Sequence, residues 1–93
     1  MKELERMAIN ELIKVYESYI SKKEVDKELE ENAKRVYNEY IPGFRFLRST
    51  INEVVGGLFS LAYPNVDPER KVPTREEAKK ILENLKKLKK EFN

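Results

Sequence analysis

Residues 74–92 read TREEAKKILENLKKLKKEF, and this stretch decides the fold. Ala78, Ile81, Leu82, Leu85, Leu88 and Phe92 recur at steps of three and four residues, so they share one face of a helix. Every other position from 75 to 91 is charged or Asn. Thr74-Arg75-Glu76-Glu77 has the form of a capping box, in which the Thr hydroxyl accepts from the amide three residues on and the Glu carboxylate reaches back. The spacing predicts a helix over 75–91. Lys86, Lys87, Lys89 and Lys90 crowd its last turns, where cations favour the helix dipole. A helix with one apolar stripe needs other elements to cover that stripe.

The rest of the chain supplies three more helices. Leu4, Met7, Ala8, Leu12, Ile13, Tyr16, Tyr19 and Ile20 form one face of a first helix over 3–20, widened by Ile9 and Val15. Ser21-Lys22-Lys23-Glu24 matches a second capping box, which predicts a second helix starting at Ser21 or just after. Its apolar stripe is Val25, Leu29, Ala33, Val36, Tyr37, Tyr40 and Ile41, with an outer face in water. Pro42-Gly43 is expected to end it, because Pro disfavours a helical Ile41 and Gly permits a turn. Phe44, Phe46 and Leu47 should pin the following loop to the core.

A third helix is expected over 46–63. Ile51, Val55, Leu58 and Ala62 align at 100° per residue, flanked by Val54, Phe59 and Leu61, an apolar arc of roughly 160°. Glu53, Gly56, Gly57 and Ser60 are expected behind that arc. Gly56-Gly57 costs about 2 kcal/mol of helix propensity relative to two Ala. Either another helix approaches closely there or the helix bends. Pro64 to Pro73 is a loop, with Pro68, Asn65 and Asp67 as turn residues. There is no strand signal, internal repeat or low-complexity segment. The expected fold is all-α, an antiparallel four-helix bundle, with 1–93 as a single helical-bundle domain.

Composition narrows the chemistry. The 93 residues contain no His, no Cys and no Trp. That excludes a Ser-His-Asp triad, a thiolate nucleophile, a disulfide framework and an ordinary zinc site. The carboxylate pairs Glu30-Glu31 and Glu76-Glu77 fall on solvated faces or in a first turn, whereas acid–base catalysis needs carboxylates in an apolar cleft. A di-metal bundle site needs inward Glu with Glu-x-x-His, and helical arithmetic turns Glu53 outward. No enzyme, cofactor or metal is expected. The five Tyr fall at core-edge positions, which suits a buried ring with a wet hydroxyl better than base stacking.

Charge is unevenly placed. Residues 1–70 carry 11 basic and 13 acidic side chains, whereas 71–93 carry 8 basic and 4 acidic. The basic C-terminal helix has three readings: solubility with dipole complementarity, contact with an acidic or membrane-proximal partner, and, last, nucleic acid. Glu76, Glu77, Glu83 and Glu91 dilute the patch for that last role. Met1-Lys2-Glu3 begins no apolar leader. The apolar run Val54–Tyr63 is ten residues long, about half of what crosses a bilayer. A cytoplasmic location is expected, with partial membrane association and peripheral proximity to the inner leaflet as its second part, since each Lys near an anionic surface is worth about 1 kcal/mol.

Ile51-Asn52, Val55, Leu58, Ala62-Tyr63 and Asn65, followed by a loop and a Thr-initiated helix with Leu82-x-x-Leu85, are similar to the immunity proteins of pediocin-like bacteriocins, particularly the enterocin A immunity type. Tyr19-Ile20-Ser21-Lys22 resembles that family's first helix junction. The likeness runs from about Leu12 to Leu88, and its motifs are core positions and junctions. The resemblance implies a cytosolic four-helix bundle that protects a Gram-positive producer from its own peptide. It implies binding, from inside the cell, to the mannose phosphotransferase permease when bacteriocin is bound. In the family the C-terminal half carries specificity, which here falls on the 64–73 loop and the last helix. Arg70, Lys71, Lys79, Lys86, Lys87 and Lys90 are the recognition residues this implies. Some members extend well beyond the last helix; this sequence stops at Phe92-Asn93, so by the resemblance specificity rests on the helix and loop. The competing reading is a small helical adaptor or regulator, which would dock a protein through exposed Phe59 or Leu61 beside Gly56-Gly57. A monomer fits the width of the apolar arcs, and a dimer through the first and third helices is the alternative.

Overall fold

Apolar faces on four successive segments are covered by one another. The computed structural model describes residues 2–44, 51–66 and 72–91. It contains α1 (Lys2–Ser21), α2 (Lys27–Phe44), α3 (Ile51–Ala62) and α4 (Arg75–Glu91). Among the described residues there is no strand. The closest helix pairs are α1 with α4, α1 with α2, and α2 with α3, so the order around the bundle is α4, α1, α2, α3.

Each close pair is antiparallel. The Arg75 side chain at the start of α4 meets the backbone just past the end of α1. Arg35 in the middle of α2 pairs with Glu11 in the middle of α1 across the short 22–26 link. Tyr63, just past α3, meets Asn38 and Lys34 in the first two-thirds of α2. The chain is an antiparallel four-helix bundle.

The core holds Ala8, Ile9, Leu12, Ile13, Val15, Tyr16 and Tyr19 from α1, and Leu29, Ala33 and Val36 from α2. Val54, Leu58, Leu61 and Ala62 of α3 and Ala78, Ile81 and Leu85 of α4 complete it. Beside this core, Tyr37, Phe59 and Tyr63 make a three-ring cluster with centroids 5.2–5.9 Å apart, sealing α2 against α3.

The α1–α2 junction differs from its sequence reading. Ser21 is the last residue of α1, and its hydroxyl donates back to Ser18 O at 3.0 Å. The cap of α2 is Asp26, whose Oδ1 accepts from Leu29 N at 2.8 Å. A carboxylate there also meets the positive end of the helix dipole. Lys22 Nζ donates to Asp26 Oδ2 at 2.8 Å. That bond and the Leu29 amide hold the Asp26 carboxyl below its ordinary pKa, and the same bond raises Lys22. Val25 therefore precedes the helix and is 38% exposed rather than part of its apolar stripe.

The far end of α2 differs too. The helix runs through Pro42-Gly43 to Phe44. Pro42 has no amide to donate, and the helix nonetheless continues two residues past it. Phe46 and Leu47 lie outside the described residues, as do the first five residues expected in the third helix, 46–50.

Candidate partner-recognition face

The start of α4 is fixed by three sets of bonds. The capping box forms as its residues dictate: Glu77 N donates to Thr74 Oγ1 at 3.1 Å, and Thr74 N donates to Glu77 Oε1 at 3.2 Å. Arg75 then reaches across to α1. Its Nε and Nη2 donate to Lys22 O at 3.2 and 2.6 Å, and Nη2 also donates to Lys23 O at 2.7 Å. The guanidinium lies 4.7 Å from the Tyr19 ring centroid, within cation–π range. The Tyr19 hydroxyl donates to Pro73 O. Arg75 so satisfies two carbonyls of the link that follows α1, and ties that end of α1 to α4.

With its start held, α4 turns Ala78, Ile81 and Leu85 inward and leaves Lys79, Lys86, Lys87 and Lys90 exposed. At 100° per residue Lys79, Lys86 and Lys90 fall within an arc of about 40°. Lys87 joins Lys80 on a second strip, with Glu76 and Glu83 between the two by the same geometry. The structure thus brings three of the expected residues together and sets Lys87 apart. Arg70 and Lys71 lie outside the described residues.

Ion pairing separates α4 from α1 and α2. The salt bridges among the described residues join Lys14–Glu11, Lys22–Asp26, Lys34–Glu30, Arg35–Glu11 and Arg35–Glu39. None of these uses a lysine of α4. Glu11 and Glu39 flank Arg35 and raise its pKa, the bond to Glu11 contributing most.

A second feature lies between α3 and α4, the seam where the bundle closes least tightly. A cleft of about 310 Å³ is lined there by Gly57, Ser60, Pro73, Glu77, Lys80, Ile81 and Asn84. Two expectations about α3 change at this place. Ser60, expected on the outer side, is 3% exposed, and its hydroxyl donates to Gly56 O at 3.0 Å. Tyr16, expected with a wet hydroxyl, is fully buried and donates to Val54 O at 2.8 Å. Tyr19 is likewise buried, its hydroxyl on Pro73 O. Burial, with the neighbouring Tyr19 as a smaller cause, raises the Tyr16 phenol above its ordinary pKa.

The Tyr16 strut also explains Gly57. A Cβ there would fall on the Tyr16 hydroxyl, so Gly57 marks a close approach. Leu61 is fully buried, and Phe59 is half-buried within the ring cluster, so no Leu61 surface is offered beside the two glycines. Sequence reasoning missed the cleft, Lys80 on its rim and the Arg75 clamp. The small residue at 57 was the one visible signal of the first; nothing local marks a bond that spans 53 residues.

Among the described residues no group of three acidic side chains gathers in a way that could hold a metal ion, and no helix is long and apolar enough to cross a membrane. The chain matches no family model, no curated protein and no solved structure.

Proposed function

We propose that this chain is an immunity protein against a pediocin-like bacteriocin. It works from the cytoplasm by engaging the mannose phosphotransferase permease once the permease holds the peptide, and so blocks lethal permeabilisation. The observation that carries this reading is the set of exposed lysines on the last helix of a four-helix bundle, Lys79, Lys86, Lys87 and Lys90. It falls in the half of the chain to which the family resemblance assigns recognition. The clamp at Arg75 supports the reading, because a recognition helix must be presented in one orientation.

The test is protection from killing. The protein is expressed in a bacteriocin-sensitive Gram-positive strain and challenged with a panel of pediocin-like peptides. Selective survival against one or a few is expected. The Lys86→Glu, Lys87→Glu, Lys90→Glu variant should fold as the parent and lose protection by at least tenfold in the inhibitory peptide concentration. Uniform death across the panel, with folded protein present, would remove the function. Undiminished protection in the triple variant would remove the site.

The cleft between α3 and α4 favours a second reading, a helical adaptor that receives a partner side chain against Ile81 and Pro73. An Asn84→Phe substitution at the exposed rim would fill it, and protection should survive that change if the lysine face is the site.

A further inference from the structure

We propose that the outer strip of α4 formed by Lys79, Lys86 and Lys90 binds the surface of an anionic lipid bilayer by charge alone, with no insertion of the helix. The immunity reading supplies the setting, a soluble protein that must find a membrane-embedded target. The binding itself needs neither permease nor bacteriocin.

Four observations carry it. The first is the linear array. Lys79, Lys86 and Lys90 lie on one strip about 16 Å long, at 1.5 Å per residue, and all are exposed. The second is their lack of intramolecular ion pairs among the described residues, where Lys14, Lys22, Lys34 and Arg35 are paired and only the separated Lys23 and Lys27 share that freedom on the α1–α2 side. Their field is directed outward rather than spent within the molecule. The third is the charge layout. α4 holds seven cations and four acids, a net of +3, whereas α1 and α2 each hold three cations and four acids, a net of −1. α2 lies across the bundle from α4. Among these helices the charge is therefore polarised in the sense that would turn α4 toward a negative surface.

The fourth is the fate of α4's apolar face. A helix that embeds in a membrane interface presents its apolar face to the acyl chains. Here Ala78, Ile81 and Leu85 are buried in the bundle core, so that mode would require the bundle to open. What remains is attraction between lysines and headgroups, which acts within a Debye length and is screened by salt. A lipid surface suits this strip better than nucleic acid. Lipid headgroups diffuse and can gather under isolated lysines, whereas duplex phosphates keep a fixed register and Glu76 and Glu83 border the strip. The one arginine of α4 is committed to the end of α1, and the described part of α4 has no aromatic ring for a base to stack on.

Vesicle sedimentation tests the proposal with the full chain and no other protein. The probes are vesicles of phosphatidylcholine alone and of phosphatidylcholine with 30% phosphatidylglycerol, at 0.05 and 0.5 M salt, using roughly a hundredfold range of lipid to resolve weak partitioning. Expected is binding to the anionic vesicles at low salt, none to the neutral ones, and release at high salt. Each lysine should multiply partitioning by roughly fivefold, so Lys79→Gln, Lys86→Gln, Lys90→Gln should lower it about a hundredfold. The matched control, Lys14→Gln, Lys27→Gln, Lys34→Gln, removes the same charge from α1 and α2 and should lower it less than fivefold. Circular dichroism of both variants confirms that the helices persist.

Equal loss in the two variants would assign the effect to net charge and overturn the strip. Binding that survives 0.5 M salt, or that occurs on neutral vesicles, would overturn binding by charge alone. No binding to anionic vesicles at low salt would overturn the proposal outright. Displacement from the vesicles by an RNA duplex at an equal phosphate concentration would reassign the face to nucleic acid. Killing assays report separately on immunity, so vesicle binding without protection, or protection without vesicle binding, tells the two failures apart.

Discussion

Gly57→Ala is the sharpest perturbation of this bundle, because two known effects oppose each other there. In a solvated helix the change stabilises by about 0.5–1 kcal/mol through backbone entropy. At position 57 the new methyl group falls on the Tyr16 hydroxyl, with the Tyr16 Cζ and Pro73 Cγ both at 3.5 Å. The hydroxyl is the far end of a side chain and could move if the ring were free. The ring is fully buried, and its hydroxyl is bonded to Val54 O. Relief therefore means shifting packed atoms, at about 1–3 kcal/mol, and loosening a buried hydrogen bond, at about 1 kcal/mol. The clash wins, and a net loss of about 2 kcal/mol is expected. For a domain of this size that is a fall in melting temperature of roughly 8–16 °C.

The mechanism is tested by a double-mutant cycle in urea. Tyr16→Phe removes the obstructing oxygen and leaves the ring. In that background the Gly57→Ala methyl meets only ordinary contacts, so its cost should drop to near zero or change sign. The coupling between the two changes should be about 1.5–2.5 kcal/mol. Equal costs of Gly57→Ala in both backgrounds, or a gain in the parent, would refute the close-approach explanation of Gly57.

Two further outcomes follow from bonds described above. Arg75→Ala should cost about 2 kcal/mol in urea unfolding, from charge-assisted bonds to two carbonyls and the Tyr19 stacking, and Arg75→Lys should restore less than half because an ammonium lacks the fork. Because the Tyr16 pKa is raised on folding, its contribution is complete below the unfolded value near 10 and declines as pH rises above that. Stability should therefore fall between pH 10 and 12, measured by urea midpoints, with a shallower slope in Tyr16→Phe; equal slopes would show that Tyr16 is not the group responsible.

The legible parts of this chain were those set by local chemistry. The Thr74–Glu77 box, the 75–91 span and the stripe of Ala78, Ile81 and Leu85 all depend on neighbours within one or two turns, and the structure has them as read. The illegible parts depend on choices between local signals or on distant partners. The Ser21-x-x-Glu24 pattern put the α2 cap at Ser21, but Asp26, whose carboxylate holds both Lys22 Nζ and the Leu29 amide, takes that place. Ser60 seemed polar enough for the outside, yet it bonds its own helix at Gly56 O and so can be buried. The hydroxyls of Tyr16 and Tyr19 found carbonyls 38 and 54 residues away, which no window along the sequence reveals. The lysine face was legible as exposed. Its division into two strips follows from helix phase, whereas its freedom from ion pairs depends on where the acids of the other helices lie in the fold.

The joining of α1 to α4 has a consequence for biosynthesis. The Tyr19–Pro73 bond spans 54 residues, which a ribosome takes roughly 3–10 s to add. α4 follows Pro73, so until residue 91 is also added the buried surface of α1 lacks the helix that covers one side of it. A nascent α1–α2 hairpin can form early, but it stays sticky and available to chaperones while the later helices are translated. Translation speed over residues 20–91 thus sets how long that surface stays uncovered, and slow codons in that interval would lengthen the exposure.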